Sequence, residues 1–245
     1  MIFETHGHYD DEQFDTDREQ LLEEFQRQDI RYVMNIGANI ATSKASVELA
    51  HQYDFIYAAI GTHPDDAPEL SDAAIEMYRQ MAADEKVKAI GEIGLDYFHE
   101  DVPKEVQIHW FRKQLELAEE LKLPVVIHSR DAAKDTMDIM KEMQGRLCGG
   151  VIHCFSYSTE IAREYIKMGY YIGVGGVVTF NNGRKLKEVV EAIPLTSIVL
   201  ETDSPYLSPV PFRGKRNSAL NIPYVATFKN SLKLYRMEEN MQAEA

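Results

Sequence analysis

The 245-residue sequence predicts an α/β protein built as a single (β/α)8 TIM barrel. Three observations carry that expectation. Eight short apolar or β-branched runs alternate with segments of helical spacing. The alternation recurs about every 30 residues, which matches a barrel of roughly 250 residues better than a doubly wound sheet with a second domain. No repeat or low-complexity linker marks a boundary, so residues 1–245 are expected to form one domain.

In chain order, strand one is expected near Ile2, followed by a helix over Asp17–Gln28. Strand two begins near Arg31 and leads to a helix over Ser43–Gln52; strand three begins near Phe55 and leads to Ser71–Ala83. Strand four, from Val87, precedes the clearest helix, Pro103–Lys122. There Asp101 and Pro103 supply the start signal, and Ile108, Phe111, Leu115, Ala118 and Leu121 recur at three and four residues. Strands near Val125, Gly150, Tyr170 and Ile198 precede helices over Asp131–Met143, Thr159–Met168, Arg184–Ala192 and Pro223–Tyr235.

Composition narrows the function classes. With 44% hydrophobic and 27% charged residues the chain is neither disordered nor fibrous, and its net charge of −14 argues against a general coat for nucleic acid or anionic membrane. The charge is segregated, however. Residues 10–29 hold nine acids and two bases, whereas residues 204–236 hold six Lys or Arg and no acid. Cys148 and Cys154 are too few for a disulfide framework and lack zinc-site spacing, which fits a reducing compartment. The opening MIFETHGHYDD has no signal character, and no run approaches a membrane span. A cytoplasmic location without a membrane partner is therefore expected. Oligomeric state is left open.

In barrels of this type chemistry collects at the C-terminal strand ends. Five of the eight histidines fall there: His6 and His8, His63, His128 and His153. His51, His99 and His109 lie on helices or in a loop and read as structural or solvated. Glu92 in KAIGEIGLDY and Asp203 in SIVLETDSPYL end otherwise apolar strands, where a charge is costly unless paired or bound to metal. His6 and His8, two apart on a strand, point the same way and suit chelation. Together His6, His8, Glu92, His128, His153 and Asp203 converge on one barrel face. Six ligands exceed the need of one tetrahedral ion, so two divalent ions are expected, zinc, magnesium or manganese, with Glu92 as bridge.

At these residues the sequence resembles the TatD-related metal-dependent hydrolases of the amidohydrolase-like barrel superfamily. The resemblance runs through ETHGH, GTHP, GEIGLD, PVVIHSRDA, GGVIHCFS, IGVGG, LETDSPYL and PFRGKRN, in family order. It implies the same six metal ligands. Glu4 stands where the family usually has Asp, and a closing C-terminal helix is expected to be shortened before the tail MEENMQAEA.

The expected chemistry is hydrolysis by a metal-activated water, with Asp203 and the bridging Glu92 as catalytic carboxylates and Asp203 accepting the proton. Glu201 either orients a ligand histidine from the second shell or is a paired barrel glutamate. His63 is expected to touch substrate, and Arg130, Arg213, Lys215 and Arg216 either grip an anion or form solvated loops. Phe155, Tyr157, Phe180 and Tyr206 either stack a base or pack. Cys154 reads as a small buried residue. The resemblance implies a deoxyribonuclease acting on single-stranded or frayed DNA, or on RNA; the partner is then a nucleic-acid strand end or other phosphate ester. Hydrolysis of an acyl ester or amide, such as an aminoacyl-RNA, is the alternative, and a non-catalytic metal-dependent binding protein is a third reading.

Overall fold

A computed structural model describes residues 1–227. Eight strands, β1 (Ile2–Gly7), β2 (Ile30–Ile36), β3 (Ile56–Ile60), β4 (Val87–Asp96), β5 (Val125–Arg130), β6 (Gly150–Ile152), β7 (Tyr170–Val174) and β8 (Ile198–Leu200), pair in parallel in sequence order. Helices α1 (Arg18–Arg27), α2 (Ile40–Gln52), α3 (Asp72–Met81), α4 (Lys104–Leu121), α5 (Ala133–Glu142), α6 (Thr159–Lys167), α7 (Arg184–Ala192) and α8 (Ile222–Thr227) alternate with them. This is the expected TIM barrel, nearly closed on itself. Residues 228–235 of the last expected helix lie outside the described residues.

Sequence spacing placed most elements to within a few residues, with α2 the informative exception. It starts at Ile40, before the expected Ser43, because Asn39 and Thr42 form a reciprocal cap. The Asn39 side chain accepts from Thr42 N at 3.0 Å, and Thr42 Oγ1 accepts from Asn39 N at 2.9 Å.

Most apolar burial lies between strands and helices, where Leu22, Phe25, Phe111 and Leu115 pack against Ile30, Val33, Ile56 and Ile90. A smaller cluster, Ile36, Ala59, Ala89 and Val126, draws only on strands β2 to β5 and fills the barrel interior. Closure between β8 and β1 is local. Thr5 Oγ1 donates to the Leu200 carbonyl at 2.9 Å, and Gly7 bridges Ser204 just beyond β8. Because all strands run one way, their C-terminal ends share one mouth.

Candidate metal centre

The six expected ligands come together at that mouth. His6 lies on β1, His8 just past it, Glu92 on β4, His128 on β5, His153 directly after β6 and Asp203 shortly after β8. Glu92 sits centrally: Oε1 is 2.8 Å from His128 Nδ1 and 3.7 Å from His153 Nε2, while Oε2 is 3.4 Å from His6 Nε2. Asp203 Oδ1 lies 3.5 Å from His8 Nε2 and 3.7 Å from Nε2 of both His6 and His153. The His6 and His153 rings stack with centroids 3.4 Å apart.

Three of the four histidines have their other nitrogen held from behind. His8 Nδ1 donates to the Ile36 carbonyl at 2.8 Å. His128 Nε2 is 3.1 Å from Asp96 Oδ2. His153 Nδ1 is 3.2 Å from Glu201 Oε2, though not aligned as a hydrogen bond. Outer partners of this kind fix the tautomer and direction of a ligating imidazole. Glu201 is itself pinned, since Oε1 accepts from Cys154 N at 2.7 Å. A Cβ at Gly173 on β7 would come within 2.4 Å of Glu201 Oε2, so the neighbouring strand must carry glycine there.

Electrostatics follow from this crowding. Burial opposes a charge on His153, but Glu201 and Glu92 outweigh it and push its pKa up to about 10. His8, through Asp203, and His128, through Asp96 and Glu92, rise to about 9 against the same burial penalty. Burial would raise Glu92 and Asp203, yet the histidines around them hold both well below the usual carboxylate range. His6 goes the other way, pushed down by burial and by His153.

The donor set fits divalent ions. Both ring nitrogens of His6 are buried without a hydrogen-bond partner, and Nε2 faces two carboxylates. An orphaned buried nitrogen in that setting is what an ion would satisfy. The two Glu92 oxygens face different histidines, which suits a bridging carboxylate. Metal entry would displace the protons that His8, His128 and His153 otherwise hold, so binding competes with acid. Asp203 at φ 58° and Cys154 at φ 43° also occupy left-handed backbone, strain of order 1–3 kcal/mol each that collects at functional sites.

Glu4 belongs to the frame of the site. It is fully buried, and burial pushes its pKa up to about 8. Oε1 accepts from His6 N at 3.1 Å and Thr202 N at 3.0 Å, which ties His6 on β1 to the segment carrying Asp203.

The proposed substrate residues divide. His63 reaches the centre, with its ring edge-on to His128 at 4.3 Å and one donor atom grouped with Glu92 and His128. Arg130 and Arg213 are exposed, each guanidinium 3.7 Å from an aromatic centroid, Phe98 and Phe180 respectively. Lys215 is exposed on the loop after β8. Arg216 is differently engaged: its fork grips Asp17 at 2.7 and 2.5 Å and donates to the Gln13 carbonyl. That ion pair occupies the donors an anion would need. Among the aromatics, Phe155 and Phe180 are buried and Tyr157 spends its hydroxyl on Ser129 and Ala132; Tyr206 is exposed.

Asp96 is a site residue that the sequence reading does not include. Asp96, the last residue of β4, is 1% exposed and backs His128. Strand β4 runs on past Glu92, so the charge that ends the strand is Asp96 and not, as expected, Glu92. His99, expected to be structural or solvated, is exposed and pairs through Nδ1 with Asp65 at 3.2 Å and Asp96 at 3.5 Å. Cys154, expected to be buried, is only half-buried and places its sulfur beside His153 and Asp203.

A family model described as TatD related DNase matches residues 3–243. The chain belongs to the TatD family. Among TatD relatives it is 44% identical over 239 residues to the uncharacterized metal-dependent hydrolase YabD of Bacillus subtilis, covering 98% of this chain and 94% of that protein. It is 33% identical over 212 residues to the 3′-5′ ssDNA/RNA exonuclease TatD of Cronobacter sakazakii, covering 86% and 81%. The crystal structure of YjjV, a TatD homologue from Escherichia coli, superposes with a TM-score of 0.87 at 30% identity, covering 98% of this chain and 96% of that one. This TatD member is accordingly a metal-dependent hydrolase. No helix among the described residues is long and apolar enough to cross a membrane.

Proposed function

We propose that the protein is a nuclease that removes nucleotides from the ends of single-stranded or frayed DNA, or of RNA, using two divalent ions. One observation carries this reading. Glu92 divides its oxygens between His6 on one side and His128 with His153 on the other, so two ligand groups share one carboxylate. His6, His8 and Asp203 would hold one ion, and His128 and His153 the other. When bound, such ions lower the pKa of water and polarise a phosphoryl oxygen.

The chain's own groups perform the rest. Asp203, kept ionised by the surrounding histidines, accepts the proton of the attacking water. His63 Nδ1 accepts from Asp65 N at 3.2 Å, so Nε2 carries the ring proton and donates to a substrate oxygen. Arg130 and Arg213 are the exposed guanidinium groups that grip phosphate. The net charge of −14 suits local capture of a strand end and opposes wrapping of duplex. The relative named as a 3′-5′ ssDNA/RNA exonuclease supports this substrate class.

The test is a parallel assay on end-labelled single-stranded DNA, RNA and an aminoacyl ester, with manganese or with a chelator. Loss of labelled nucleotide only in the presence of metal is the expected result. Intact nucleic acid beside metal-dependent cleavage of the ester would replace the nuclease reading with an acyl-ester hydrolase.

A further inference from the structure

Phe98, two residues past the end of β4, is a large apolar side chain 55% exposed to solvent. Its position there is fixed by a single carboxylate. Asp96 Oδ1 accepts from Phe98 N at 2.8 Å and His99 N at 3.2 Å, while Oδ2 faces His128 Nε2 at 3.1 Å. The group that holds the backbone of Phe98 therefore also holds a metal ligand. The ring is fixed as well. The Arg130 guanidinium carbon lies 3.7 Å from its centroid, and His99 meets it edge-on at 5.2 Å. A cation and a histidine hold the ring, and over half of the residue remains open to solvent.

We infer that Phe98, backed by Arg130, is a platform on which a nucleobase of the substrate stacks while its phosphate reaches the metal centre. The inference rests on the nuclease reading and names how that site selects a nucleotide over other phosphate esters. A flat ring offers stacking to any base, so it supplies affinity without sequence preference, and an adjacent guanidinium can contact both a base face and a phosphate. The platform also explains the geometry at Asp96. Moving Phe98 would break a backbone contact to the carboxylate that aims His128, so base seating and ligand position form one rigid unit.

Binding calorimetry tests the platform without any turnover. Manganese-loaded wild-type protein is titrated with 2′-deoxyguanosine 5′-monophosphate and with 2-deoxyribose 5-phosphate. The nucleotide is expected to bind about ten-fold more tightly than the base-less sugar phosphate. Phe98→Ala brings the two affinities together; Phe98→Trp restores the difference, and Phe98→Leu, apolar without a π face, does not. A wild-type protein without the preference, or a Phe98→Ala variant that keeps it, overturns the proposal. Base preference in a protein that cuts no nucleic acid would instead remove the nuclease reading and leave the platform standing.

Discussion

On the helical jacket, charges sit in exposed pairs one turn apart or across neighbouring helices: Lys134 with Asp138, Arg184 with Glu188, Arg146 with Glu119. Both partners of each remain wet, so each pair gains little and costs little. At the mouth the side chains of His6, Glu92, His153 and Glu201 are between 1% and 5% exposed, and each stands within 4 Å of the next. Four buried nitrogen and oxygen atoms of His6, His153 and Glu201 lack hydrogen bonds there, and two residues take left-handed backbone. The contrast teaches where stability was spent. Water screens the jacket, whereas the mouth crowds desolvated carboxylates and histidines that hold one another's charge, with four polar atoms left unpartnered.

The largest expected effect lies at the centre of the mouth. Asp203→Asn keeps the fold but lowers turnover by at least about 10³-fold, because the proton acceptor and a ligand oxygen go together. Steady-state rates beside a circular dichroism spectrum measure it. A folded Asp203→Asn enzyme with full activity would remove Asp203 from the chemistry.

One shell outward the effect shrinks. Asp96→Asn and Glu201→Gln each weaken metal binding by about 10- to 100-fold, since His128 and His153 lose the partners that aim them. Competition with a chromogenic chelator reads this directly. Unchanged metal affinity in both variants would reduce these carboxylates to wall residues.

The comparison can be sharpened at Arg216, which joins the two regions. Arg216→Ala is expected to cost roughly 1 kcal/mol or less through its partly exposed pair with Asp17, seen as a lower urea midpoint, while the substrate KM stays nearly constant. Arg130→Ala should do the reverse and raise KM with the midpoint unchanged. If Arg216→Ala alone raises KM, the Asp17 pair opens to serve substrate.

The smallest effect belongs to the jacket. Glu119→Ala should leave both the urea midpoint and turnover within measurement scatter. A clear loss of either would show that an exposed pair carries more than screening allows.

How much of this was legible in the sequence follows the same division. Apolar runs with regular spacing marked all eight strands, and a charge at the end of such a run marked Glu92 and Asp203, because burying it needs a reason. Asp96, the last residue of GEIGLD, obeys that rule too, but its role depends on the barrel bringing β5 beside β4 so that the carboxylate reaches His128. The pairing of Arg216 with Asp17 spans 199 residues and depends on the barrel closing, so no local pattern carries it. The start of α2 was missed because Asn39 and Thr42 set it through caps, which apolar spacing does not report.

In the proposed two-ion centre one buried carboxylate, Glu92, divides the other five ligands into two ion sites. Metal content per chain, measured on manganese-loaded protein after removal of free ion, tests it most directly beside the Glu92→Gln variant. Two ions per wild-type chain and fewer than two in the variant are expected. A single ion in wild type, or two still held by Glu92→Gln with undiminished affinity, would contradict it.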